Sequence, residues 1–182
     1  MARKALEYLH KLWYSIIRVG KLRVIKMKKR KITIFDVANF FLKIVDRDSG
    51  STITPLKLQK ILYYAQGYYL AKFDKPLFNE DFQAWAHGPA NPEVYEKYKD
   101  YKFKAIDEPK VELYDFDENT ASFLAYIWDV FGIYDGKYLE ELTHSESPWI
   151  NARKGYEPGE KCEVVIPKKE MKAFFKTEPY NV

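Results

Sequence analysis

The sequence lacks several features that would assign it to a specialised class of protein. Its one cysteine, Cys162, excludes an internal disulfide and is consistent with a reducing compartment. No apolar run approaches the roughly 20 residues that cross a bilayer. The apolar stretch "LWYSII" near the start is too short for the core of a signal peptide. Together these absences predict a cytoplasmic protein without a membrane span.

Catalytic and metal-binding patterns are missing as well. The eight glycines are scattered and form no phosphate-binding loop, and no serine occupies a GxSxG turn. His10, His87 and His144 belong to no HxxxH or HExxH pattern, and Cys162 has no second cysteine with which to hold zinc. In its apolar surroundings Cys162 is more typical of a small core residue than of a nucleophile. We therefore expect a protein that is not an enzyme and that uses no cofactor or metal.

What the sequence does have is many aromatic residues and an uneven distribution of charge. Aromatic residues make up 17% of the chain and include 15 tyrosines, which suit half-buried and partner-facing surfaces. Residues 1–31 contain eleven lysines and arginines and one acid, so they carry a net charge of +10. Since the whole chain carries +4, residues 32–182 carry −6. We predict a basic N-terminal arm, 1–31, followed by one domain, 32–182.

The arm has the pattern of an amphipathic helix, with Leu6, Leu9 and Trp13 at helical spacing between basic residues. Such a helix can bind a membrane surface, nucleic acid or an acidic protein, and it can equally dock on its own domain. Met27 opens a stretch that is typical of a natural protein start. Residues 1–26 could therefore also be an extension without a function of its own, and these alternatives stay open.

Local spacing predicts a mainly helical domain. Thr54-Pro55, Asn91-Pro92 and Ser147-Pro148 each combine a capping side chain with a proline at the first helical position. The predicted fold is a compact helical bundle around a central buried helix, about 55–72, with a small β element, and the alternative is an α+β fold. Helices are predicted over 33–50, 54–72, 91–101, 117–133, 136–144, 147–153 and 167–176, strands over 81–88 and 162–166, and a loop or short strand over 105–116.

The segment "TPLKLQKILYYAQGYYLA" predicts a helix with apolar residues on two opposite faces. A helix of that kind usually lies in the middle of a bundle. Gly67 weakens the helix by about 1 kcal/mol relative to alanine, which makes sense if another element crosses closely there. One face carries Leu58, Ile61, Leu62, Ala65 and Tyr69, and the other carries Leu56, Tyr63, Gly67 and Leu70.

Two narrow polar seams separate these apolar faces. Lys57, Lys60 and Tyr64 form one seam, and Gln59 and Gln66 form the other. If any part of this helix contacts a partner, we expect it to be the seams. Whether the first seam faces a partner or only water stays open.

Two further stretches indicate binding rather than catalysis. In "YEKYKDYKFK" four lysines alternate with aromatic residues, which could stack on bases or could cover apolar surface with the lysine stems. Because the body is net negative, we expect any direct binding of DNA or RNA mostly through the arm. In "AWAHGPANPEVY" we expect Trp85, His87 and Tyr95 to cluster where a strand turns into a helix. Such a corner is typical of an anchor for a protein partner, and a purely structural corner that buries Trp85 fits equally well.

Three segments in this order and spacing resemble the Panacea domain, a family of proteins associated with phages and mobile elements. They are "ITPLKLQKILYYAQGYYLA", "KPLFNEDFQAWAHGPANPEVYEKYK" and "LTHSESPWINAR". The resemblance extends from about Phe35 to Phe175 and leaves residues 1–31 outside it. It implies a binding module without catalysis, because family members commonly act as antitoxins that bind and neutralise a toxin encoded by a neighbouring gene. One member is described instead as an adaptor that delivers its toxin to a protease.

The leading hypothesis is thus an antitoxin that masks a cognate protein toxin by direct contact. The alternatives are an adaptor for a protease and a DNA-binding regulator that acts through the basic arm. The sequence does not identify the toxin, and it leaves open whether the protein is a homo-oligomer. The residues predicted to contact the partner are Trp85, His87, Tyr95, His144, Trp149, Lys57, Lys60 and Tyr64.

Overall fold

A computed structural model describes residues 30–177. Contacts group Ile32–Val182 into a unit of its own, and the fold below is that of its described residues. The predictions for residues 1–26 and Met27 lie outside the described residues, and the domain boundary stays a prediction. The described part contains α1 (Ile34–Ile44), α2 (Pro55–Phe73), β1 (Gln83–Trp85), β2 (Gly88–Ala90), α3 (Pro92–Tyr98), a 3-10 helix (Lys99–Tyr101), α4 (Glu118–Phe131), α5 (Gly136–His144), α6 (Ser147–Ala152) and α7 (Lys168–Phe175). This fold is mainly α with a small β element, as predicted.

Capping side chains determine where most of these helices begin. Thr33 accepts from the backbone N–H of Asp36, and the Asp36 carboxylate accepts from the Thr33 N–H at 2.8 Å, so α1 starts with a capping box. The starts predicted at Thr54 and Asn91 are confirmed, because both side chains accept a bond from the first turn of the helix that follows. Asp117 and Asp135 cap α4 and α5 in the same way.

The predicted end of α1 near Gly50 is wrong, because the helix ends at Ile44 and Val45 is already extended. After it, the carbonyl of Asp46 accepts from the Ser49 hydroxyl at 2.8 Å and from the Ser51 N–H at 3.2 Å. The Asp46 carboxylate also accepts from the Ser49 N–H at 3.2 Å. Short polar side chains that bond nearby backbone compete with helical bonds in this way, and the periodicity of apolar residues does not reveal it.

Helix α6 has Glu146 at its N-cap position, so it begins one residue earlier than the predicted cap at Ser147. The first helical bond runs from the Ile150 N–H to the Glu146 carbonyl at 3.1 Å. No side chain caps this helix, and the buried Glu146 carboxylate accepts from the hydroxyl of Tyr64 at 2.9 Å. A long-range contact of Glu146 thus accompanies the start of α6 in place of the predicted serine cap.

Helix α2 lies at the centre of the bundle and is buried continuously from Lys57 to Leu70. It packs against α7, α5 and α4, and both of its predicted apolar faces are covered, with only Leu56 half-buried. A Cβ atom at Gly67 would lie 2.1 Å from Cε2 of Phe175 in α7. The predicted close crossing is therefore confirmed, and a side chain at position 67 would collide with it.

The β element is an antiparallel hairpin in which Trp85 lies opposite Gly88. The segment predicted as one strand over 81–88 therefore contains the first strand and the turn. The strand predicted over 162–166 is reduced to an isolated bridge between Val165 and Gln83, with one backbone hydrogen bond on each side of that pair. Residues 105–116 form a loop.

The core confirms one further prediction, since Cys162 is buried among apolar residues. Aromatic rings fill much of this core: the ring of Phe175 lies 5.5 Å from that of Tyr63 and 4.7 Å from that of Tyr68, measured between centroids. Within residues 30–177, each helix is either too short or too polar to pass through a bilayer.

Candidate partner-binding surface

The turn of the hairpin is held from inside by the side chain of Lys60. This lysine is buried, and its ammonium donates to the carbonyl of Pro89 at 3.1 Å and to the carbonyl of His87. Gly88 between them has φ +86°, and a Cβ atom there would lie 2.6 Å from Oγ1 of Thr143 and 2.7 Å from Nζ of Lys60. The "GP" dipeptide therefore has its glycine where both the backbone conformation and the space require it.

Two acidic residues only partly offset the effect of burial on the Lys60 ammonium. Burial lowers the pKa of this ammonium to about 7, while Glu140 and Glu146 favour the charged form and Lys137 opposes it. Glu140 also accepts from Nδ1 of His87 at 2.9 Å and from Lys137 at 3.1 Å. Burial disfavours the ionised form of Glu140, but the bonds from His87 and Lys137 outweigh it, so its pKa is lowered.

Two residues from the "SPWINAR" segment hold the other arm of the hairpin. Nε1 of Trp149 donates to the carbonyl of Trp85 at 3.0 Å, and Nη1 of Arg153 donates to the carbonyl of Ala84 at 2.9 Å. The ring of His144 stacks on that of Trp149 with 4.1 Å between centroids. Burial lowers the pKa of the His144 imidazole, so the neutral ring that stacks there is favoured.

The strand-to-helix corner is held by Gln59 of α2. Its side-chain amide bonds both backbone groups of Asn91, accepting from the N–H at 2.8 Å and donating to the carbonyl at 3.0 Å. The side chain of Asn91 then caps α3 through the Val94 N–H at 3.0 Å and donates to the carbonyl of Asp81 at 2.9 Å. The position of α3 relative to the hairpin is therefore fixed by buried hydrogen bonds.

These internal contacts support an outer surface of three side chains, Trp85, His87 and Tyr95, which we call the hairpin corner. The half-buried ring of Trp85 meets that of Tyr95 edge to face at 5.0 Å, and its Nε1 donates to Gln83 at 2.7 Å. Tyr95 is 46% exposed, and the side chain of His87 is 79% exposed. A rigid backbone that carries accessible aromatic rings is suited to bind another protein.

The predicted seam residues of α2, Lys57, Lys60 and Tyr64, are not part of this outer surface. Lys60 and Tyr64 are fully buried, and the Tyr64 hydroxyl donates to Glu146 while its ring stacks on Phe131 at 4.1 Å. Burial and the neighbouring Glu146 raise the pKa of Tyr64 far above its usual range. Lys57 is also largely buried and donates to the carbonyl of Gly132 at 2.7 Å. The first seam thus faces the interior of this unit, neither water nor open surface.

The sequence predicted that Trp85, His87 and Tyr95 cluster, and the structure places these three together at the corner with Trp149 and His144 beneath them. Their role as partner contacts stays a prediction. Sequence reasoning did not identify three residues that hold this corner: Gln59, Glu140 and Arg153. Of these three, only Gln59 stands out in the sequence, because it is a glutamine between the two apolar faces of α2.

Comparison with known proteins matches residues 58–150, just over half of the chain, to the family described as "Antitoxin SocA-like, Panacea domain". The chain belongs to this family. The Panacea match includes Gln59, Lys60, the hairpin, Glu140 and Trp149, so it covers most of the network that holds the corner.

A curated relative is "Antitoxin SocA" of Caulobacter vibrioides, which is 49% identical over 43 residues. That alignment spans 24% of this chain and 23% of the relative, so less than a quarter of either protein is aligned. No solved structure matches the chain.

Proposed function

We propose that this Panacea protein is an antitoxin that acts in the cytoplasm and neutralises a cognate toxin by binding it directly, without catalysis of its own. The observation that carries the proposal is the organisation of the hairpin corner. Lys60 of α2 and Trp149 of α6 donate to backbone carbonyls of the hairpin. Gln59 of α2 bonds the backbone of Asn91, and Glu140 of α5 accepts from the His87 side chain. Such pre-organisation lowers the entropy that binding costs and so favours affinity.

Membership of a family described as antitoxin-like and the local similarity to an antitoxin support the same proposal. The mechanism would be occlusion: the aromatic rings of the corner pack against the toxin, and polar groups such as the His87 imidazole surround them. The protein product of the neighbouring gene is the expected partner, because antitoxin and toxin act together in one cell.

Co-expression tests this proposal. The neighbouring gene product should arrest growth when expressed alone, and this protein should restore growth and co-purify with it. A toxic neighbour that is neither rescued nor bound would contradict the antitoxin function. If the toxin is instead depleted only in cells that contain a particular protease, the adaptor alternative is favoured.

The corner itself is tested by substituting Tyr95→Ala in the full chain. We expect toxin binding to weaken by about 10-fold or more, as for an aromatic residue at the centre of an interface. Tyr138→Ala is the matched control, because Tyr138 is 47% exposed but lies on α5 and stacks on Tyr134. Equal loss in both variants, or no loss in Tyr95→Ala, would show that the corner is not the binding surface.

A further inference from the structure

The loop that follows α3 exposes an aromatic side chain to an unusual degree. Phe103 is 95% exposed, the highest value among the large apolar residues of the described part. A phenylalanine ring that stays exposed contributes no hydrophobic stabilisation to the fold, since it is as accessible to water as in the unfolded chain. Its neighbours Lys102 and Lys104 are also exposed, and neither forms an ion pair within residues 30–177. We call residues 101–104 the Phe103 loop.

The backbone of the Phe103 loop is strained where it turns. Lys102 has φ 53° and ψ −108°, and the Lys104 N–H donates to the Tyr101 carbonyl at 2.9 Å. These angles are close to those of the first central residue of a type II′ turn, a position that glycine ordinarily occupies. A lysine there costs stability, and such strain is commonly found where a loop has a binding role.

The loop is nevertheless braced on both sides. Before it, Tyr98 is buried, and the Lys102 N–H donates to the Lys99 carbonyl at 3.0 Å. After it, Ile106 is buried and its N–H donates to the carbonyl of Ile53 at 2.8 Å. The tip therefore projects from fixed ends, which holds Phe103 away from the core.

We propose that Phe103 is a second anchor for the toxin, and that it enters an apolar pocket bordered by carboxylates which pair with Lys102 and Lys104. This rests on the proposed antitoxin function. An exposed aromatic ring between two unpaired ammonium groups is complementary to an acidic-rimmed pocket. The loop follows α3 and the short 3-10 helix, and α3 carries Tyr95 of the hairpin corner.

The charge of the domain favours a protein pocket over nucleic acid or a lipid surface. Residues 32–182 carry a net charge of −6, so two lysines at one tip are set in a negative body. Polyanions bind through many cationic contacts at once, and their affinity grows with the number of phosphates neutralised. A single ring with two flanking charges is better suited to a small pocket on a protein.

The test is the affinity of the purified toxin for full-length variants. Phe103→Ala should weaken binding by about 10- to 100-fold, and Phe103→Leu should weaken it less. Ile133→Ala is the matched control, because Ile133 is 68% exposed but follows α4. Lys102→Gly should raise the melting temperature, since it relieves the strained turn, and should weaken toxin binding at low salt by a few fold. Lys104→Gln should weaken toxin binding at low salt by a similar factor.

The outcomes separate this proposal from the antitoxin function. If the wild-type protein does not bind the toxin at all, the antitoxin function itself fails. If the wild type binds and Phe103→Ala binds equally well, the antitoxin function stands and the second anchor is refuted. It is also refuted if Phe103→Ala loses binding to single-stranded DNA or to anionic lipid vesicles while keeping its affinity for the toxin.

Discussion

Polar side chains on α2 bond the backbone of neighbouring segments, as an adjacent strand does in a sheet. Gln59 bonds both the N–H and the carbonyl of Asn91, and Gln66 bonds the carbonyl of Phe78 at 2.8 Å and its N–H at 3.4 Å. Lys60 adds two further backbone carbonyls. Buried polar side chains are stable only when they are paired, so these residues specify which loops pack on α2.

Lys60 makes the stability of the protein depend on pH. Its pKa is about 7 in the folded protein against 10.5 in the unfolded chain, so the unfolded state binds more protons between these values. The free energy of unfolding therefore rises with pH through this window. Relative to Lys60→Met, the wild type should gain up to about 1.4 kcal/mol per pH unit between pH 7 and 9.

Urea denaturation at pH 7, 8 and 9 measures this difference. Lys60→Met should be less stable at pH 9, because the carbonyls of His87 and Pro89 lose their donor. The exposed Lys154 provides the control, and Lys154→Met should follow the wild type at every pH. Parallel profiles for wild type and Lys60→Met would contradict the assignment of this pH dependence to Lys60.

The hairpin, with two strands of three residues each, is too short to be stable by itself. It persists because Lys60 of α2, Trp149 of α6 and Arg153 donate hydrogen bonds to its carbonyls. Sequence patterns predicted a strand at this place but not the second strand or the position of the turn. The reason is that "HGPA" has no alternating apolar pattern, and its conformation depends on Lys60 and Thr143.

Arg153 provides a test of how the hairpin is held. Its guanidinium donates to the carbonyl of Ala84 and also to those of Glu157 and Glu160, at 3.0 and 2.9 Å. Arg153→Met should cost about 2 kcal/mol of stability, the usual range for hydrogen bonds to a charged group. Amide hydrogen exchange should become faster in residues 83–90 and 157–160. Lys154→Met should leave this exchange unchanged, and unchanged exchange in Arg153→Met would refute the support role.

The whole molecule combines a basic N-terminal segment with an acidic body. The proposed binding surfaces all lie between residues 85 and 104, within the described part of the chain. Deletion of residues 1–26 should therefore leave growth rescue and toxin affinity unchanged. Loss of rescue would show that the arm contributes to binding. Salt-sensitive DNA binding by the full chain that disappears in the deletion would favour the regulator alternative.

The sequence by itself determined the helical class, the central position of α2, the close crossing at Gly67 and the cap residues of α2 and α3. All of these follow from local rules, since periodicity and capping depend on residues within a few positions of each other. The three Panacea-like segments also carried the family relationship without coordinates.

Only the tertiary structure decided what the polar residues of α2 do. A lysine in a seam gives the same sequence pattern whether it faces water or a buried carbonyl, because its partner lies 27 or 29 residues away. The same applies to Tyr64 and Glu146, which are 82 residues apart. Burial of these groups required other helices to cover them, so the residues predicted as a possible contact surface lie inside the fold, and Lys60 among them holds the turn of the hairpin.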